Sequence, residues 1–509
     1  MLRRPTWPLK ALLLGLAFVG FLLVREFSTR HAGASRVSKA DGPNILIIIG
    51  DDHAADTLGV DGDTHGATPR LDALAKQGVY FKRAYCNAPV CTASRQSLIT
   101  GKLPHAVGVT RLPTPLPASA VTLGDWLAHR GYVTAAFGKM HFNSPLTHGF
   151  EERIDTPDWR KNLRSHPPKG GDQIVPWRPF KDPASVWLNA EVKPYGLPDA
   201  SMEATFFADR AADFFVRHKN DRFALVVGFN EPHSPFKFPD DWPRRYSPDD
   251  FTAPPVSEAD RRVQPKVFQG ITPEQTRGIT AAYYTSISYV DAKIGRILDA
   301  LDASGLADDT IVVYLGDNGY LRGHHGRFEK HCLYERAVRV PMIVRWPKHI
   351  KAGTQVNEMI EYVDLLPTLY ELAGVAPPSD LQGRSFAALA EGKPGAKGRR
   401  YVFSEYLENE EAMVADGRYK LIVGSGQRRR LDGYVTDDPT PGPYEHLYDL
   451  QTDKEENVDL VQRPDLADKL KELRGALFER ITTTRNANDR PPPGLNQMAT
   501  IHWCLTPRD

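Results

Sequence analysis

Short runs of unbroken apolar residues constrain the fold of this chain more than any other feature. The first, in PNILIIIGDDH, covers Ile45 to Ile49. Similar runs recur in YVTAAFGK near 132, FALVVGFN near 223, TIVVYLGDNG near 310 and PMIVRWP near 341. A strand with one wet face alternates polar and apolar residues, whereas an unbroken run is covered on both faces. Helical patterns separate the runs. In AAYYTSISYVDAKIGRILDALDASG, Ile287, Val290, Ile294, Ile297 and Leu301 share one face and Gly305 marks the stop. This alternation predicts an α/β fold over 43–375, with a large mixed, mostly parallel sheet flanked by helices.

With 509 residues the chain exceeds one small core, so a second unit is expected. Residues 376–398, rich in Pro, Gly and Ala, read as a connector. Beyond them YVFSEYL, EAMVADGRYKLIVGS and EHLYDLQTD read as short strands, with a turn at Asp416-Gly417 and a helix near 465–482. Residues 399–485 thus form a smaller C-terminal domain of antiparallel sheet plus helix, and 486–509 an irregular tail. At the other end, Arg3, Arg4 and Lys10 precede the apolar run Ala11–Val24, and Ala32-Gly33-Ala34 offers a cleavage site. Residues 1–35 read as a secretory signal peptide or an N-terminal membrane anchor. Either sends the body out of the cytoplasm, to the periplasm or beyond. A net charge of +1 excludes nucleic acid as a chain-wide partner. The four cysteines, Cys86, Cys91, Cys332 and Cys504, show no CxxC spacing for zinc. An exported protein can form disulfides, and Cys86–Cys91 is the nearest pair.

In open α/β sheets ligands sit at the carboxyl ends of the strands. The first strand ends in Asp51-Asp52 and the strand near 310 in Asp317-Asn318. Carboxylates crowd together only around a cation, and an all-oxygen set selects Ca²⁺ or Mg²⁺. Other strand ends deliver Lys139, His141 and His233, and GRFEKHCLYE delivers Lys330. Cations and imidazoles beside a metal suit a compact, multiply oxygenated anion. In NAPVCTASRQSLITGK, Cys91 opens a helix and Arg95 lies four residues on, along the same face. A thiolate is a poor ligand for a hard ion, so Cys91 makes better chemical sense if it is changed.

The motifs CTASR…TGK, PNILIIIGDDH, GKMH, PHSPF, GDNG and KHCLYE, with DGRYKLI and LYDL further on, resemble in their order the signatures of type I sulfatases of the alkaline-phosphatase superfamily. The resemblance spans roughly 43–480. It implies a sulfatase whose Cys91 is oxidised to formylglycine (3-oxoalanine) by a formylglycine-generating enzyme. It also implies Ca²⁺, rather than Mg²⁺, held by Asp51, Asp52, Asp317, Asn318 and the modified Cys91. Arg95 and His141 would hold the aldehyde hydrate, Lys139 and Lys330 the sulfate, and His233 would face the leaving oxygen. Ala93 departs from the family's usual C-x-P-S-R. Two alternatives stand beside this reading: a phosphonate monoester or phosphodiester hydrolase of the same superfamily, and a non-catalytic relative that binds sulfated glycans. Trp159, Arg160, Arg164 and Trp177, in a basic segment with aromatics over 151–185, are candidate contacts for a sulfated sugar. A solvated surface loop would read the same way.

Overall fold

The computed structural model describes residues 42–168, 183–427 and 442–508. The N-terminal run Ala11–Val24 and Trp177 lie outside the described residues. Among the described residues no helix is long and apolar enough to cross a membrane.

The large sheet contains β1 (Asn44–Gly50), β2 (Val79–Tyr85), β3 (Val133–Gly138), β4 (Glu152–Ile154), β5 (Phe223–Gly228), β6 (Thr310–Gly316), β7 (Arg339–Val340), β8 (Met342–Arg345) and β9 (Thr354–Glu361). Its order is β4-β3-β5-β1-β6-β8-β2-β7, with β9 also paired to β2. The stretch from β4 to β6 is parallel, while β8 runs antiparallel to both β6 and β2. The sheet is therefore mixed and mostly parallel, as its apolar runs require. Alternate residues of β1 enter different cores: Ile45, Ile47 and Ile49 pack on one side, Leu46 and Ile48 on the other.

The helices that frame the two sheets and the site include α1 (Cys91–Thr100), α2 (Thr156–Ser165), α3 (Glu203–Arg217), α4 (Pro273–Ala303), α5 (Leu365–Leu372), α6 (Ala467–Thr483) and α7 (Gln497–Leu505). Residues of α1 and α5 join the first core, and residues of α3 and α4 the second. On α4, Val290, Ile294, Ile297 and Leu301 are buried as their spacing predicts. Its start is secured by Thr272, whose hydroxyl accepts from Gln275 N at 3.1 Å.

The smaller sheet is antiparallel, in the order β10 (Val402–Tyr406), β11 (Glu411–Ala415), β12 (Tyr419–Gly424) and β13 (Tyr444–Asp449). The Asp416-Gly417 turn joins β11 to β12. Asp416 Oδ1 accepts from Arg418 N and Tyr419 N, and Gly417 takes a φ of 92° that disfavours a side chain. Leu470, Leu473, Leu477 and Ile481 of α6 cover one face of this sheet.

Two segments here carry more structure than their composition suggests. Within the connector 376–398, Phe386, Ala387, Leu389 and Ala390 enter the first core. Its Pro and Gly content masked that short apolar cluster. The irregular tail contains α7, whose Ile501, Cys504 and Leu505 pack against α6. Asn496 caps it, its side chain accepting from Ala499 N at 2.9 Å. The preceding prolines hid a three-residue apolar spacing that only a partner helix makes worthwhile.

The two sheets meet at a buried joint. Glu405 on β10 accepts from His105 N at 2.8 Å and pairs with His105 Nδ1 at 2.7 Å. His105 Nε2 lies 2.9 Å from Thr484 Oγ1. Burial pushes the Glu405 carboxyl up, but the His105 charge and hydrogen bonds outweigh it and hold the group below its usual range. A carboxyl depressed in the folded state contributes stability above its unfolded pKa of about 4.3 and loses it as pH falls through the folded value. Glu405→Ala should therefore cost about 3 kcal/mol at neutral pH, with the difference from wild type shrinking in acid. Thermal melts of both proteins between pH 7 and pH 3 measure it, and a pH-independent difference would remove the electrostatic account.

Candidate active site

Parallel pairing brings the carboxyl ends of β1, β3, β5 and β6 to one edge, and each delivers a side chain there. Asp51 and Asp52 follow β1, Lys139 and His141 follow β3, His233 follows β5, and Asp317 and Asn318 follow β6. Cys91 sits at the start of α1, directly beneath them. Asp51, Asp52, Cys91, Arg95, Asp317, Asn318 and Lys330 are all buried.

Cys91 Sγ lies 3.1 Å from Asp51 Oδ1 and 4.0 Å from Asp52 Oδ1. Burial, and then the Asp51 charge, push its thiol well above the ordinary range, so the unmodified side chain stays neutral. No disulfide links Cys86 to Cys91. All four cysteines are free, and Cys86 Sγ rests instead against the Ala337 carbonyl. One turn along α1, Arg95 Nε donates to Asp317 Oδ2 at 2.7 Å and its guanidinium also reaches the Lys139 carbonyl. This approach requires glycine at 228: a Cβ there would lie 2.3 Å from the Lys139 carbonyl and 2.8 Å from Arg95. Thr92 Oγ1 meets His141 Nδ1 at 3.2 Å, and Gln96 Nε2 holds the His141 carbonyl at 2.6 Å. One face of α1 thus orients the whole segment after β3.

The carboxylates are tied into one network. Asp317 Oδ1 accepts from Asp52 N at 3.1 Å, and Asn318 Nδ2 donates to Asp52 Oδ1 at 2.7 Å. The lysines, expected to face a sulfate group, lie on the carboxylates: Lys139 pairs with Asp51, and Lys330 Nζ lies 2.7 and 2.9 Å from the two Asp52 oxygens. They answer the negative charge that the carboxylates bring together. Burial and the repulsion of Asp51 push Asp317 up to about 7. Burial also pushes Asp51 up, but Lys139 leads the neighbours that bring it well below the carboxylate range.

A hard dication fits this set. Three buried carboxylates converge, and Asn318 Oδ1 is a buried acceptor with no hydrogen-bond partner among the described residues. Possible ligand atoms of Asp51, Asp52, Cys91 and His233 lie within 4.8 Å of one another. This grouping brings His233 beside the carboxylates and does not include Asp317. His233 Nδ1 donates to the Ser234 carbonyl at 2.7 Å, and Nε2 lies 3.8 Å from Asp52 Oδ2.

Cys91, Lys139, His141, His233 and Lys330 line a cavity of about 610 Å³. Trp159 and Arg160 line it, but Trp159 is largely core and its indole donates to the Ser201 carbonyl at 2.9 Å. Arg164, one turn further along α2, is exposed and does not line the cavity. Asn230, Glu231, Lys237, Tyr195 and Glu203 line it too, although the sequence motifs do not single them out. Asn230 and Lys237 flank the PHSPF motif closely enough for that motif to have pointed to them; Tyr195 and Glu203 carry no local signal. Glu203 accepts from Asn230 Nδ2 at 2.8 Å and from Thr156 Oγ1 at 2.5 Å.

Comparison with known proteins agrees with this geometry. Residues 43–375 match the sulfatase family model, and 323–483 match the model for the C-terminal region of N-sulphoglucosamine sulphohydrolase. An ulvan-active sulfatase of Formosa agariphila is 30% identical over 86% of this chain and 81% of its own. An N-acetylglucosamine-6-O-sulfatase of Bacteroides thetaiotaomicron is 27% identical, with 88% of each chain covered. Among solved structures, the phosphonate monoester hydrolase of Agrobacterium radiobacter superposes with a TM-score of 0.71 at 25% identity, covering 85% of this chain and 96% of that one. With a matching family model over most of the folded body and the carboxylates, cations and helix-start cysteine gathered at one sheet edge, this chain belongs to the sulfatases of the alkaline-phosphatase superfamily and is a sulfuric ester hydrolase.

Proposed function

We propose that the enzyme hydrolyses sulfate esters of a sulfated carbohydrate, with Cys91 oxidised to formylglycine and Ca²⁺ held by Asp51, Asp52, Asp317 and Asn318. The carrying observation is the convergence of three buried carboxylates with Arg95, Lys139 and Lys330 around a cysteine that opens a helix. The cation and the hydrated aldehyde would together supply charge neutralisation and a nucleophilic oxygen. Arg95 is locked by Asp317 and the Lys139 carbonyl, so it can orient residue 91 without itself moving. Lys139 and Lys330 line the cavity and bring positive charge to the sulfate oxygens. His233 donates through Nδ1 to a carbonyl, which leaves Nε2 as the nitrogen that exchanges a proton with the leaving oxygen.

The burial of Cys91 supports oxidation before folding, by a maturation enzyme acting on the extended chain. The run Ala11–Val24 behind its arginines supports export, with 1–35 as signal or anchor. The names of the two sulfatase relatives support a sugar substrate. A second reading, phosphonate monoester hydrolysis, is favoured by the Agrobacterium structure. Rates on matched sulfate and phosphonate esters separate the two, and faster phosphonate turnover would displace the sulfatase reading.

If His233 protonates the leaving oxygen, its loss should matter most when that oxygen is a poor leaving group. His233→Ala should lose about 10²–10⁴-fold in kcat/KM on a sugar sulfate and clearly less on nitrophenyl sulfate. Lys330→Ala should hurt both esters similarly, because it acts on the sulfate common to them. Equal losses at His233 on the two esters would remove it from the acid role.

A further inference from the structure

The cationic side chains of the cavity divide into two sets. Lys139 and Lys330 are each paired with a carboxylate of the cluster, and Arg153 Nη2 lies 2.6 Å from Asp155 Oδ2. Lys237 and Arg160 line the same cavity with no carboxylate partner among the described residues. Elsewhere, buried Lys293 is matched by Asp199 and buried Lys420 by Glu456. Lys237 is half-buried and held in place. It lies between buried Phe236 and Phe238, its carbonyl accepts from Ser286 Oγ at 2.9 Å, and its ammonium stands 4.7 Å from the centroid of the Tyr195 ring. Glu231 also lines the cavity and feels the Lys237 charge, but no ion pair joins them: its oxygens are buried without hydrogen-bond partners among the described residues, and burial pushes the carboxyl up to about 7, so it answers Lys237 only in part.

A half-buried cation with no ion-pair partner is costly, and an aromatic face recovers only part of the loss. An anion on the ligand would recover the rest through a charge-assisted hydrogen bond. In the proposed mechanism Lys139 and Lys330 face the ester sulfate, so the charge on Lys237 and Arg160 is available to another group. We infer that Lys237, with Arg160 at the exposed edge, forms a second anion subsite in the active-site cavity, and that the natural substrate carries a further compact anion close to the ester cleaved. This rests on the sulfate-ester reading and narrows it to polyanionic sugars, away from neutral or cationic sulfate esters. The second anion is the carboxylate of a uronic acid or another sulfate, which share the chemistry that Lys237 would recognise.

The test compares kcat/KM on a monosulfated neutral sugar, a sulfated disaccharide bearing a uronate carboxylate, and a disulfated sugar. Wild type is set against Lys237→Met, which keeps the aliphatic packing on Tyr195, and Arg160→Ala, an exposed position. Wild type should prefer at least one anionic substrate over the neutral sugar. That preference ratio should fall by about 10- to 100-fold in Lys237→Met, mainly through KM, and by a smaller factor in Arg160→Ala. High salt should erode it in wild type. The anionic sugar that shows the effect identifies the group recognised. A wild-type preference for the neutral sugar, or a ratio unchanged in both variants, would overturn the subsite while leaving the sulfatase reading intact. Absence of turnover on every sulfate ester, by protein shown to carry formylglycine, would overturn that underlying reading and the subsite with it.

Discussion

Cys91→Ala is expected to lower kcat/KM on every sulfate ester by about 10⁴-fold or more, while the folded state persists. The thiol is buried and its closest polar contact is Asp51, so alanine removes little packing and no structural ion pair. Removing the reacting group without disturbing its surroundings should therefore separate activity from stability. The unmodified thiol is itself a poor nucleophile, because burial and Asp51 keep it neutral. Active wild-type preparations should accordingly show the peptide carrying Cys91 about 18 Da lighter than its thiol form, the change when CHO replaces CH2–SH. Mass spectrometry of that peptide beside the activity of the same sample decides the matter. Full activity with Cys91 wholly unmodified would end the formylglycine mechanism. Ala93, at the place of the usual motif proline, makes the modified fraction worth measuring in each expression host.

Asp317→Ala should abolish measurable turnover, a loss of about 10³-fold or more, and should weaken Ca²⁺ binding. Two functions meet in this side chain: one oxygen accepts from Asp52 N, and the other fixes Arg95 Nε. Its removal both deletes a charge from the cation set and frees the guanidinium that orients the helix start. Asp317→Asn separates these, since an amide oxygen can still accept a hydrogen bond but contributes no full negative charge. If the charge is what matters, Asp317→Asn should be nearly as inactive as the alanine variant. A readout independent of activity is thermal stability. A cation bound only by the folded state raises the melting temperature, so wild type should be stabilised by added Ca²⁺ and both variants much less. A shift equally large in all three proteins would place the cation elsewhere. Activity that survives exhaustive chelation would remove it from the reaction.

The sequence by itself determined which residues could meet. Unbroken apolar runs specify strands covered on both faces, such strands belong in parallel sheets, and parallel strands present their carboxyl ends on one edge. Asp51, Asp52, Lys139, His233, Asp317 and Asn318 were therefore legible as neighbours although far apart in the chain, and the start of α1 at Cys91 was legible from its own composition. What the tertiary structure alone decided is how those charges are shared. Arg95 and Asp317 are separated by 222 positions, and no local pattern tells that Lys139 would lie on Asp51 and Lys330 on Asp52. Nor could spacing show that Lys237 would be left without an ion pair while its chemically identical neighbours were matched. The packed connector and the helix in the tail are further cases, because a few apolar residues gain from order only when another element brings a surface to cover them. Covalent order and periodicity fix what each segment can present. The pairing of charges and the filling of cavities depend on distances between segments, which are settled only when the layers close.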